Sequence, residues 1–376
     1  MTMRAEALPT EEMLINMGPQ HPSTHGVLRV ILRTDGEVVV NARPDVGYLH
    51  RALEKIGERV TYAQFMPFTD RLDYLASMNC NAAWAWAVEK LAGIEVPERA
   101  EYIRVIMCEL NRIASHLIAF GSFTADMGAF TPFLYGIRER ERINDLFEEV
   151  CGNRLTYNYM RIGGVAADLP DGFLGRVKEF LDYFEPKIPE YNTLISYNKI
   201  FVHRLADVAV VSPEEAIAYG LTGPNLRGSG VPFDLRKDEP YSVYPKLDFD
   251  VCVGTGERGR VGDCFDRYMV RINEMKESVK ILRQAIAQIP DGEVRAKVPR
   301  VFKPPVGEVY FRAENPRGET GIYLISDGTL NPYRVKIRAP SFVTMNLFEK
   351  VTKGLMVADI VAVIGSFDII LPEIDR

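Results

Sequence analysis

What this chain has little of narrows its chemistry first. It holds five cysteines, Cys80, Cys108, Cys151, Cys252 and Cys264, scattered with no Cys-x-x-Cys pair. Thiols so dispersed argue against a disulfide framework or a self-contained iron–sulfur site and read as single buried thiols. No apolar run reaches the roughly 18 residues needed to span a bilayer. The first residues form neither a signal peptide nor an Arg-rich transit segment, so the expected location is the cytosol or the periphery of a membrane. Basic runs are also missing. A net charge of −6 and a pI of about 5.6 speak against a nucleic-acid partner. Repeats and low-complexity runs are absent too.

What is present is a long chain, 376 residues at 47% hydrophobic content, enough to bury a large core in two or three subdomains. Histidine is scarce, five in all, yet two fall in one short stretch, Met17-Gly-Pro-Gln-His-Pro-Ser-Thr-His-Gly-Val-Leu-Arg29. Pro19 and Pro22 forbid a helix there, and Gly26 permits a turn. His21 and His25 therefore sit on a loop, where imidazole can exchange a proton near neutrality. A packed turn on a surface is the competing reading. A His-x-x-x-His metal site is disfavoured, because that spacing aligns both rings only on a helix. Val27 to Leu32 and Glu37 to Val40, split by Thr34-Asp35-Gly36, read as a β-hairpin.

Helical patterns dominate the middle. After a short helix from Ala52 to Gly57, Thr69 is positioned to cap a helix from Asp70 to about Leu91, stopped by Gly93. Tyr74 falls off that helix's apolar line, its hydroxyl free to face a cleft. Pro97 fits a first helical position, and Ile103, Ile106, Leu110, Ile113 and Leu117 continue a second, long helix. Gly121 to Thr131 reads as a small-residue link in which Asp126 either caps a backbone or orients a histidine. A third helix runs from about Pro132 to Cys151 and a fourth from Asp171, kinked at Pro186 and Pro189 on its way to Arg204. Ser212-Pro213 starts a short helix closed by Gly220, and Asp263 caps a last long one reaching Pro290.

Residues 221–262 lack periodicity and read as a functional or interface loop. They contain Gly254-Thr-Gly-Glu-Arg-Gly259, a match to G-x-G-x-x-G, but without the βαβ alternation that a dinucleotide fold requires. From Gly307 onward, alternating Val309, Phe311, Tyr323, Ile325, Val335 and Ile337 predict an antiparallel sheet. The terminal stretch from Phe367 to Arg376 is apolar enough to dock on the core. The expected fold is thus α+β: an N-terminal hairpin region (1–60), a central long-helix bundle (61–290) and a C-terminal antiparallel sheet with a docking tail (291–376).

Together, several stretches resemble one family: the large catalytic-core subunit of respiratory complex I, the 49-kDa or D-type subunit of NADH:quinone oxidoreductase. They are Gly18-Pro-Gln-His-Pro-Ser-Thr-His-Gly26, Val46-Gly-Tyr-Leu-His-Arg51, Asp70-Arg-Leu-Asp-Tyr74, Asp126 with Gly-Ala-Phe-Thr-Pro132, Arg161-Ile-Gly-Gly-Val165, Gly262-Asp-Cys264 with Asp266-Arg-Tyr268, and the Phe367-Asp-Ile ending. That family is similar to the large subunit of [NiFe] hydrogenases, but the two Cys-x-x-Cys pairs that would hold the metal are missing here.

The resemblance implies a hydrogenase-large-subunit-like fold and a peripheral subunit on the cytoplasmic face of the bacterial membrane, attached through its partners. The partners would be the subunit carrying the terminal [4Fe–4S] cluster and the membrane subunit at the quinone entrance. Quinone would be the substrate, with FMN and Fe–S clusters on partner subunits and no metal in this chain. His25 and Tyr74 would hydrogen-bond the quinone carbonyls, Asp126 would orient or charge-stabilise His25, and Arg51 would lie toward the cluster. His21 would shape the loop. A related complex fed by ferredoxin is the alternative, and a soluble dehydrogenase using the Gly254 loop a more remote one. The sequence departs from many members at Thr156, where they carry a histidine near the cluster. A non-titrating residue there weakens the coupling of cluster potential to pH and suits a low-potential acceptor such as menaquinone, although ubiquinone stays open.

Overall fold

The computed structural model describes residues 12–18 and 27–376. The chain begins with strands β1 (Glu12–Met17), β2 (Arg29–Asp35) and β3 (Val38–Asp45), antiparallel and in that spatial order. The β2–β3 hairpin is the expected one. Its inward residues Val30, Leu32, Val39 and Ala42 are fully buried, and Gly36 turns the chain with φ +58°. β1 was not anticipated. It pairs with β2 from Glu12–Asp35 to Met17–Val30, but Met13 and Leu14 stay exposed, so no apolar alternation betrays it.

Helices α1 (Leu53–Gly57) and α2 (Tyr62–Thr69) follow, then α3 (Ser77–Ala92). The single helix expected from Asp70 to Leu91 is therefore wrong at its start. Thr61 and Gln64 form the capping box of α2, whereas the Thr69 hydroxyl donates to the Met66 carbonyl at 2.7 Å and caps nothing. Residues 70–76 are a turn, because Asp73 Oδ1 accepts the amides of Leu75 (3.1 Å) and Ala76 (3.2 Å) in place of a helical ladder.

The long helix α4 (Glu98–Asp126) is N-capped by Pro97 rather than started by it, and runs through the segment expected to be a link. Asp126 is its last residue. α5 (Phe130–Cys151) packs closely on α4. Gly136 allows this, since a Cβ there would sit 2.8 Å from the Leu117 carbonyl oxygen. The Arg161-Ile-Gly-Gly bend is a minimal hairpin of β4 (Met160–Arg161) and β5 (Gly164–Val165). The kinked fourth helix appears as α6 (Phe173–Phe184), α7 (Lys187–Tyr191), a π turn over Asn192–Ser196, and α8 (Lys199–Leu205). α9 (Pro213–Ala218) carries the Ser212–Glu215 capping box.

Residues 221–262 are not a surface loop. They form α10 (Gly223–Gly228), α11 (Leu235–Asp238) and a 3-10 turn, and deliver Arg227, Asp234 and Arg236 into the interior. Gly254 serves backbone packing, because a Cβ there would overlap the Gly228 carbonyl oxygen. The neighbouring Gly256 amide donates to Asp266 at 2.9 Å, and residues 249–253, which lead into this stretch, form no strand, so the dinucleotide pattern is structural. α12 (Cys264–Gln288), N-capped by Asp263, packs along α4 at the centre of the molecule. Antiparallel strands β6 (Gly307–Asn315), β7 (Gly318–Ser326) and β8 (Arg334–Arg338) follow as expected. Four helices end the chain: α13 (Pro340–Met345), α14 (Phe348–Thr352), α15 (Val357–Phe367) and α16 (Leu371–Asp375). The fold is α+β, a helical core with small antiparallel sheets toward each end.

Candidate functional site

Tyr74 sits in the 70–76 turn, half-buried, and its hydroxyl has no hydrogen-bond partner among the described residues. The turn beneath it is rigidly held. Arg317, almost fully buried, donates from Nη1 to Asp73 Oδ2 (2.6 Å) and to Ser115 Oγ (3.1 Å), and from Nη2 to Asp368 Oδ1 (3.2 Å). Asn111 on α4 adds two bonds, accepting the Met78 amide and donating to the Leu75 carbonyl, each at 3.0 Å. Burial raises the Tyr74 phenol above its ordinary value, with Asp73 and Asp368 reinforcing and Arg317 opposing. The group thus stays a neutral donor through the physiological range.

Asp126 closes α4. Burial lifts its carboxyl to about 7, so it is poised to hold or release a proton near neutrality. Neither Tyr74 nor Asp126 shifts the other's proton affinity. Ser115, which anchors the Tyr74 turn, lies about three helical turns from Asp126, roughly 16 Å along the α4 axis. His25 and His21 lie outside the described residues.

Arg51 is exposed and donates from Nη2 to the Arg71 carbonyl at 2.8 Å. Burial and then the nearby Arg71 lower its proton affinity. The loop that bears it is clamped by the C-terminal tail, which docks as expected. Asp375 accepts the amides of Gly47 and Leu49, each at 2.7 Å; its carbonyl bonds His50 Nδ1 at 2.7 Å, and the Arg376 carbonyl accepts the Arg51 amide at 3.2 Å. Next to Arg71, Asp70 is fully buried and raised to about 6 by burial, against the pull of Arg71 and the Asn158 amide. Thr156 stands two residues before Asn158 on the same segment. Tyr74, Asp70, Arg51 and Arg71 are thus tied to one region, with Asp126 at the far end of the same supporting helix.

Sequence reasoning missed Asp73, Arg317 and Asp368. Asp73 and Asp368 lie inside the Asp70–Tyr74 and Phe367-Asp-Ile stretches that carry the resemblance, but with no role assigned. Arg317 sits in the Asn315-Pro-Arg-Gly318 turn between β6 and β7, which reads as a turn and nothing more. Glu373, also unforeseen, is buried against Ser341 and raised to about 7 by burial and Asp73. Among the described residues no group of three or more His, Cys, Asp or Glu side chains is arranged to hold a metal ion, and the five cysteines are free.

Comparison with known proteins places the chain. Residues 126–305 and 297–376 match the family model of the respiratory-chain NADH dehydrogenase 49-kDa subunit. A curated relative from Anaeromyxobacter dehalogenans, a D-type subunit of NADH-quinone oxidoreductase, is 59% identical over 366 residues, covering 97% of both chains. The D-type subunit of the same enzyme from Desulforamulus reducens is 54% identical over 98% of this chain and 99% of its own. Its Bacillus cereus counterpart is 52% identical over 97% of this chain and 99% of its own. The chain belongs to the family of the 49-kDa subunit of respiratory-chain NADH dehydrogenase, the D-type subunits of NADH-quinone oxidoreductase. No helix among the described residues is long and apolar enough to cross a membrane.

Proposed function

We propose that the Tyr74 turn and the Asp126 end of α4 form one wall of the quinone-reduction site of a proton-translocating NADH:quinone oxidoreductase, closed by the subunit that carries the terminal [4Fe–4S] cluster. One observation carries this reading: a phenol held on an over-determined turn, half-buried and with its hydroxyl unengaged among the described residues. A merely structural tyrosine at that depth ordinarily spends its hydroxyl on a neighbour.

Quinone reduction consumes two electrons and two protons. Tyr74 donates a hydrogen bond to one carbonyl oxygen and, with its raised pKa, releases a proton only to the strongly basic reduced ring. His25 serves the other carbonyl, and Asp126, near 7, orients it and holds the proton that restores it. Arg51 and Arg71 face the cluster-bearing subunit, where their charge favours cluster reduction. Electrons reach that cluster from NADH through FMN and Fe–S centres on other subunits. The chain binds at the cytoplasmic face of the bacterial membrane through those subunits and through the membrane subunit at the quinone entrance.

A photoreactive quinone analogue applied to membranes holding the assembled enzyme tests this. Labelling of the peptide that contains Tyr74, suppressed by excess quinone, supports the site. Quinone-protectable labelling confined to other peptides refutes it.

A further inference from the structure

Arg161 differs from most of the large cations of the interior. It differs too from Arg267, which also lacks an ion pair among the described residues but spends Nε, Nη1 and Nη2 on Ser366, the Ala209 and Gly262 carbonyls and Cys264. Arg104, Arg112, Arg227, Arg236 and Arg317 each face a carboxylate within 3.2 Å. Arg161, half-buried, has no ion pair among the described residues. Only its Nη1 is engaged, by the Met160 carbonyl (2.9 Å) and by the carbonyl and Oδ1 of Asn158. Nε and Nη2, the edge of the guanidinium that matches two oxygens of one acid, donate to nothing among the described residues.

Arg161 lines a cavity of about 370 Å³ together with Met66, Ile162, Val298 and Phe302 and the cations Arg295 and Arg300. The far wall is fixed in place. Val165 N donates to the Val294 carbonyl (3.0 Å) and Ala296 N to the Gly163 carbonyl (2.7 Å), pinning the segment to the β4–β5 hairpin. Gly164 permits the approach, since a Cβ would overlap the Val294 carbonyl oxygen. Between Val294 and Gly307 the chain carries Arg295, Lys297, Arg300 and Lys303 and no acidic residue. None of these four makes an ion pair among the described residues, although the whole chain is acidic. The carboxylate whose charge acts on Arg161 is Asp70, itself fully buried.

We infer that this groove is a socket for an acidic segment of a neighbouring subunit, with one Asp or Glu carboxylate seated on the Nε–Nη2 edge of Arg161 and the rim cations steering it in. The apolar walls suit the stem and flanking residues of a peptide, which a bare anion would leave unfilled. The inference rests on the chain acting inside an assembly.

The test uses the complete enzyme purified from membranes. In one preparation Arg300→Cys carries a short photo-crosslinker; in another, Arg295→Glu and Arg300→Glu are combined, both on exposed side chains. Expected is a cross-link to an Asp- or Glu-bearing peptide of one other subunit. In the double variant retention of that subunit should fall about tenfold at raised salt, with NADH–ferricyanide activity unchanged at low salt. Arg161→Lys should weaken retention as well, since it keeps the charge and loses the fork. Cross-links only within this chain or to lipid, or retention identical to wild type at every salt concentration, overturn the proposal while leaving the quinone reading intact. A chain that co-purifies with no other subunit overturns the assembly reading and this proposal with it.

Discussion

Two regions of the molecule handle buried charge in opposite ways. Between α4, α10, α11 and α12, Glu109, Asp234, Glu274 and Glu314 interlock with Arg112, Arg227 and Arg236. Arg227 alone bonds Glu274 (2.6 Å) and Glu314 (2.8 Å), while Glu109 accepts from Tyr244 and Ser278, each at 2.7 Å. Almost every oxygen there is spent, and the cluster ties four distant segments, α4, residues 227–244, α12 and β6, into one core. Around the Tyr74 turn the opposite holds. The phenol is unengaged among the described residues, Asp70 is lifted to about 6, and Arg51 leans on Arg71, while Asp126, at the far end of α4, is lifted to about 7. Saturated charge builds architecture, whereas polar groups fixed from behind and left open in front build a site.

The contrast is broken most violently from the saturated side. Replacing Arg227 by Leu strands Glu274 and Glu314 and should cost about 3–5 kcal/mol, read as collapse of the thermal transition or loss of the assembled enzyme. Within that cluster four carboxylates meet three guanidiniums, and burial keeps His116 from charging. Burial, opposed by Arg227 and reinforced by Asp234, raises Glu314 above the usual carboxylate range, whereas Arg227 and His116 hold Glu274 well below it against its burial. Glu314→Gln should therefore cost less than about 1 kcal/mol, and Glu274→Gln several times more, compared by denaturant unfolding. Equal costs would contradict this ranking of the two carboxylates.

Substitutions at the open region should spare the fold and move function. Asp126→Asn should flatten the pH dependence of quinone reduction around pH 7, with assembly intact. The sign for stability follows from a folded pKa near 7 raised above the usual 3.8: the native state binds the proton more tightly than the unfolded chain, so stability falls as pH rises between those values. The Asn variant should thus gain stability over wild type at pH 8 and none at pH 3.5. The smallest effect is expected from Thr156→His. If residue 156 lies near the partner's cluster, as the resemblance implies, a titrating ring there should make the cluster potential fall with rising pH across the histidine range, where wild type should show little slope.

The sequence made some of this contrast legible. The i, i+3, i+4 stripe announced α4, the Asp263 cap announced α12, turn residues at Gly36 and Gly318 announced both hairpins, and the apolar ending announced the docked tail. The split between α2 and α3 stayed hidden. It depends on Asp73 being captured by Arg317, a partner far away in sequence that no local pattern reveals. The buried cluster was equally invisible, because residues 221–262 have no period and their charges read as surface. Tyr74 and Asp126 stood out through resemblance, but that Tyr74 rides a turn braced by Asp73 and Arg317 came only from the structure.

The central claim is that the open phenol of Tyr74 meets the quinone. Its most direct test is quinone reductase activity in membranes carrying Tyr74→Phe, with NADH–ferricyanide activity as the control for the flavin side. The account predicts a fall in quinone reduction of about a hundredfold or more while assembly and the control persist. Unchanged quinone reduction in an assembled, NADH-oxidising enzyme would contradict it and return Tyr74 to the scaffold.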